Sequence, residues 1–172
     1  IDLGIGSGLR YTAQSAHILA LIGRLDDARR AAEQVLHELD QGTTTDQVIS
    51  LVHLAHMRCV ESNYGALPPI LDRLSAVAAG APAPAQLSAH MALGYILAWI
   101  GEPARSGESI ARTQELLAAS RWTLFQAEVA VAQVMNATNV GDWDAALSII
   151  GASAAQLEET GSLLHLTVLR DY

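Results

Sequence analysis

The chain has 172 residues, 51% of them hydrophobic but only 5% aromatic, and a formal charge of -8 at pH 7. That length suits one domain able to bury most of its apolar surface. Ten Arg, no Lys and eighteen acidic residues, with Arg29-Arg30 the one adjacent basic pair, argue against direct nucleic-acid binding by this segment. No stretch reaches the roughly 18 uninterrupted apolar residues of a membrane-crossing helix, and no signal-peptide pattern opens the chain, so no membrane partner is expected. The single cysteine, Cys59, cannot form an internal disulfide. It fits a reducing, cytoplasmic setting and a buried structural thiol.

Ala and Leu dominate, and both favour helix, so the elements are read as all-α. Gly4-Ile5-Gly6-Ser7-Gly8 is read as a flexible lead-in rather than a dinucleotide loop, because no strand precedes it. Apolar spacing predicts helices over 8–22 and 25–40, parted by the turn Gly23-Arg24-Leu25-Asp26-Asp27-Ala28. Thr43-Thr44-Thr45-Asp46 offers N-caps for a helix over 45–62, and Ser62-Asn63-Tyr64-Gly65 turns the chain into a helix over 66–79. Gly80-Ala81-Pro82-Ala83-Pro84 is a stiff interhelical loop before helices over 84–100 and 103–119, with Gly101-Glu102-Pro103 between them. Helices over 122–140 and 143–160 flank Gly141-Asp142-Trp143-Asp144, and a ninth is expected to start near Ser162. Gly23, Gly101 and Gly141 suit the left-handed residue that ends a helix, while Asp26, Asp142 or Asp144 suit the cap of the next.

The four turns begin at 23, 62, 101 and 141, so the spacing is 39, 39 and 40 residues. Even spacing of this kind marks an internal repeat. The predicted fold is a right-handed superhelix of about four antiparallel helix-turn-helix repeats, over 8–40, 45–79, 84–119 and 122–160, with a fifth starting at 162. A start at Ile1 and an end inside the running pattern at Leu169-Arg170-Asp171-Tyr172 are read as the ends of a piece of a longer protein. An uncapped last repeat would then favour self-association.

The run Gly141-Asp142-Trp143-Asp144-Ala145-Ala146-Leu147, followed by Ala154 and Leu157, resembles the helix-turn-helix joint of tetratricopeptide repeats. Gly23-Arg24-Leu25-Asp26-Asp27-Ala28, followed by Ala31, Ala32 and Val35, resembles it too. Aligned on the turns, Ala16, Ala55, Gly94 and Val134 share the first-helix position where that family keeps a small residue, and Val134 departs from it. Ala28 and Ala146 match the small second-helix residue, whereas Leu67 and Ser106 do not. The longer period resembles the helical arrays of large ATP-dependent LuxR-type (MalT-like) transcription regulators. That resemblance implies a bacterial, cytoplasmic signalling context and a module lacking its own nucleotide site, since a phosphate-binding loop needs the Lys that this chain does not have.

Stacked repeats line a concave surface with their first helices. The alignment puts His17, His56, Tyr95 and Met135 in one column of that groove, and Leu21, Val60, Trp99 and Asn139 one turn further along. His17, His56, Tyr95, Trp99, Met135 and Asn139 are therefore the candidate ligand-binding residues, the alternative being that the column packs as core between repeats. Trp99, Trp122 and Trp143 are expected to anchor packing between helices. His53 and His56 share a helix face at i,i+3, but zinc would need further ligands, so no metal and no cofactor are expected. Asp26-Asp27 and Glu158-Glu159 are expected to be solvated, and no catalytic residues are assigned. The function expected is a non-catalytic sensor or scaffold that holds a peptide, protein or small-molecule effector in the groove. Alternatives are a free-standing adaptor for protein partners, or an accessory helical domain of an enzyme with His53, His56 or His90 in a polar pocket.

Overall fold

The computed structural model describes residues 5–120 and 126–160. Among these residues the chain is all-helical. The α-helices are α1 (Ile5–Leu21), α2 (Leu25–Glu38), α3 (Thr44–Val60), α4 (Leu67–Ala78), α5 (Ala83–Trp99), α6 (Pro103–Ser120), α7 (Gln126–Asn139) and α8 (Trp143–Thr160). Single 3-10 turns at Leu39–Gln41 and Tyr64–Ala66 trim the approaches to α3 and α4. None of these helices is long and apolar enough to cross a membrane. The expected ninth helix and Trp122 lie outside the described residues.

The four turns close with one backbone pattern. Gly23, Ser62, Gly101 and Gly141 take φ of 80°, 55°, 79° and 77°, the left-handed region where a Cβ is penalised. In each turn the next residue's N–H reaches back five residues: Arg24 to the Leu19 carbonyl at 2.8 Å, Asn63 to Arg58 at 2.9 Å, Glu102 to Leu97 at 2.8 Å and Asp142 to Ala137 at 2.9 Å. This is the Schellman arrangement, which satisfies carbonyls that a helix end would otherwise leave open.

Caps differ from turn to turn. The Asp142 carboxylate accepts the Ala145 N–H at 3.0 Å and caps α8. Asp26 does not cap α2. That helix starts at Leu25, so Asp26 sits inside its first turn, 87% exposed, where it faces Arg29 and favours the positive end of the helix dipole. Thr43 caps α3 in a full capping box with Asp46. Residues 5–8 are not a loose lead-in, because α1 already runs from Ile5, while Gly4 lies outside the described residues; glycines cost a helix about 1 kcal/mol each but do not forbid it.

The chain packs as two compact units, Ile1–Ala89 and His90–Tyr172. In the first, α1 lies against α2 and α3, and α3 against α4. Ala13, Ala16 and Ala20 of α1 are buried, as are Leu51, Leu54, Ala55 and Met57 of α3 and Leu67, Leu71 and Leu74 of α4. Each Leu so buried contributes roughly 1.5–3 kcal/mol of transfer free energy. In the second unit, α7 lies against α6 and α8. Its core gathers Ala98, Ala130, Val131, Val134, Met135 and Ala146.

Residues aligned on the turns are buried alike. Ala16, Ala55 and Val134 are 0% exposed, and Gly94 is buried with them. A Cβ at Gly94 would come within 3.0 Å of the Ile110 side chain. The Gly94 carbonyl also accepts the buried Ser106 hydroxyl at 2.8 Å, so Ser106 uses its polarity to fasten α6 to α5. Ala28, Leu67, Ser106 and Ala146, the equivalent second-helix positions, are all buried as well.

Candidate functional site

His17 comes from α1, and His53 and His56 from α3. Their backbone placement follows from the packing below them: small Ala16 and Ala20 let α1 approach α3 closely, so side chains one step off the buried stripe meet at its edge. The His17 ring stacks on His56 with centroids 5.5 Å apart and 15° between planes. It meets His53 at 5.8 Å and 45°.

Burial lowers the pKa of all three imidazoles. For His56 it falls to about 4, with the repulsion expected from His17 and His53 adding to burial and a hydrogen bond to the Val52 backbone opposing it. His53 is lowered by burial and then by His17, and His17 by burial. The cluster is therefore uncharged at neutral pH. Nδ1 of His53 is buried without a protein partner.

Neutral imidazoles are the form that ligates a metal. A metal, however, lies in the plane of each ring it binds, and stacked planes such as those of His17 and His56 share no such point. Among the described residues no group of three or more His, Cys, Asp or Glu side chains is placed to hold a metal ion. What the cluster offers is a polarisable, half-exposed surface of flat rings. Leu21 and Val60, one turn further along the same helices, are 60% and 40% exposed beside it.

In the second unit the candidates are divided. Tyr95 is half-buried on α5 and touches Trp99 of the same helix, with centroids 5.8 Å apart and planes at 47°. Trp99 is 50% exposed and so is no buried anchor. It sits at the last residue of α5, where the helix runs out of neighbours to cover it. Met135 is in the core cluster, 6% exposed. Asn139 donates its amide N–H to the Ala98 carbonyl, tying the end of α7 to the end of α5.

Trp143 is 61% exposed, which overturns its expected core role. It opens α8, ahead of the turn in which Ala146 is covered, and Tyr64 at the turn-aligned position after Ser62 is likewise exposed. Asp27 bonds Arg24 and Arg30 and is only partly solvated. The side chains of Glu158 and Glu159 lie outside the described residues. Burial pushes the half-buried Cys59 thiol up to about 11, which keeps it protonated and unreactive at neutral pH. His90 is lowered by burial and by Arg112.

Two features were not anticipated from the sequence. One is the set of ion pairs that join helices: Arg10 with Asp46 at 2.6 Å, and Arg29 with Glu61 at 2.9 Å, where Glu61, its side chain 1% exposed, also takes Arg58 of its own helix end at 2.7 Å. The other is a pair of clefts of about 320 Å³ each. The first lies among α2, α3 and α4 and is lined by Leu36, Leu51, Ile70, Arg58 and Arg73. The second lies among α6, α7 and α8 and is lined by Ile110, Gln114, Gln133 and Asn136. No family model, no curated protein and no solved structure matches the chain.

Proposed function

We propose that the chain is a non-catalytic binding module of tetratricopeptide-like repeats that receives an effector or partner on its first helices. The observation that carries this reading is the meeting of His17, His53 and His56 from two neighbouring helices, uncharged and half-exposed, with Leu21 and Val60 uncovered beside them. Flat rings and aliphatic groups at a helix edge suit a planar or apolar group better than a charged one. The Tyr95–Trp99 pair gives the second unit a surface of the same kind. Within this reading, the sensor array of a cytoplasmic LuxR-type regulator is the context that the turn sequences favour.

Native mass spectrometry of the purified chain tests the proposal, followed by denaturing analysis of whatever is released. A co-purified small molecule, retained by the parent chain and lost from His56→Ala, is the expected result for a sensor. Equal retention by the variant would remove His56 from the site. An empty chain would move the search to protein partners.

A further inference from the structure

We propose that the cleft among α2, α3 and α4 is a binding site for a small amphipathic carboxylate, an acid group on an apolar body of medium-chain length. This goes beyond the reading above, since the site shares no residue with the His17, His53 and His56 face. Leu36, Leu51, Pro69 and Ile70 form its apolar walls, and the two charged side chains that line it are both arginines, Arg58 and Arg73. In a chain with ten basic and eighteen acidic residues, a lining that holds two cations and no carboxylate is not the average surface.

The hydrogen bonding of the two arginines sharpens the point. The Arg58 side chain is only 15% exposed and gives one of its N–H groups, through Nη1, to Glu61. Glu61 is shared, since its other oxygen takes Arg29 at 2.9 Å. One buried carboxylate thus serves two guanidiniums, and the Arg58 donors that it does not take are not buried orphans but open to solvent, where an incoming acceptor can reach them. A guanidinium carries five donors in a fixed plane, and a mostly buried one is stable when those donors are met. Arg73 reaches out of the cleft to Asp40, whose side chain is 83% exposed. A pair so exposed contributes little and exchanges readily for a desolvated partner. The volume of about 320 Å³ sits at the small end of ligand pockets. A carboxylate that accepts from both Arg73 and Arg58 while its chain covers Leu36, Leu51 and Ile70 satisfies both halves of the lining.

The test is calorimetric titration of the intact chain with octanoate, octan-1-ol and inorganic phosphate, with amide NMR spectra recorded alongside. Octanoate is expected to bind and to shift the resonances of Leu36, Ile70 and Arg73, while the alcohol and phosphate leave them unmoved. Arg73→Gln, chosen because its exposed pairing leaves the fold intact, is expected to weaken octanoate about tenfold without changing the melting temperature. Failure of octanoate to bind overturns the proposal, as does equal binding by Arg73→Gln. Equal binding of octan-1-ol would reduce the cleft to an apolar groove, and shifts with phosphate alone to a bare anion contact; either refutes it. Shifts confined to His17 and His56 would refute it too while favouring the face described above.

Discussion

The two units put one turn-aligned position to different use. In the first, His17 and His56 touch each other at the edge between α1 and α3 and stay half-exposed. In the second, Tyr95 leans on Trp99 of its own helix and Met135 is drawn into the core. The difference lies in what fills the space beneath. The first unit closes its core with Leu51, Leu54, Leu67, Leu71 and Leu74, so its imidazoles are not needed there. In the second, which also buries Leu93, Ile96 and Leu97, the cluster immediately around Met135 consists mostly of Ala and Val, and the long, unbranched Met135 side chain packs among them. A turn-aligned position therefore sets where a side chain starts out, and the bulk of its neighbours decides whether it ends as surface or as core.

The sharpest way to break this contrast is truncation. Met135→Ala is expected to cost about 3 kcal/mol in chemical denaturation, as for other deletions of buried methylenes. A loss as small as that of an exposed residue would show that the second unit closes without Met135, and the contrast with the first would collapse.

Titration comes next in size. An unfolded His takes its proton near 6.5, while the folded chain holds His56 unprotonated down to about 4. Between those values the unfolded chain binds more protons. Stability from this site is thus complete well above pH 6.5 and is lost as pH falls toward 4, by roughly 2–3 kcal/mol. Denaturation midpoints measured at pH 7 and pH 4.5 should fall further apart in the parent chain than in His56→Gln. Equal slopes in the two would mean that His56 is no more buried than a surface residue. The smallest effect belongs to Trp143→Ala, which at 61% exposure should shift stability by less than about 0.5 kcal/mol. A loss several times larger would restore the packing role that the turn sequence suggested.

Helices and turns were legible in the sequence because their signals are local. Gly23, Gly101 and Gly141 end helices through their own backbone freedom, Pro103 starts one, and Thr43 with Asp46 caps one. Alignment on the turns put Ala16, Ala55, Gly94 and Val134 at one position, and the four are buried alike. The contacts between helices were not legible, since they depend on how far one helix slides along another. Nothing near Arg29 in the chain points to Glu61, and nothing near Arg10 points to Asp46. His53 could have been added to the candidate face from its i,i+3 spacing with His56 alone; its contact with His17 needed the packed helices.

The four joints carry one further implication. Their closing hydrogen bonds run from backbone to backbone, and three of the four place glycine at the left-handed residue. A joint that asks so little of its side chains is interchangeable. The two helices on either side can change the side chains of their facing surfaces without rebuilding the turn, so each pair's own core can be retuned while its hinge stays as it is.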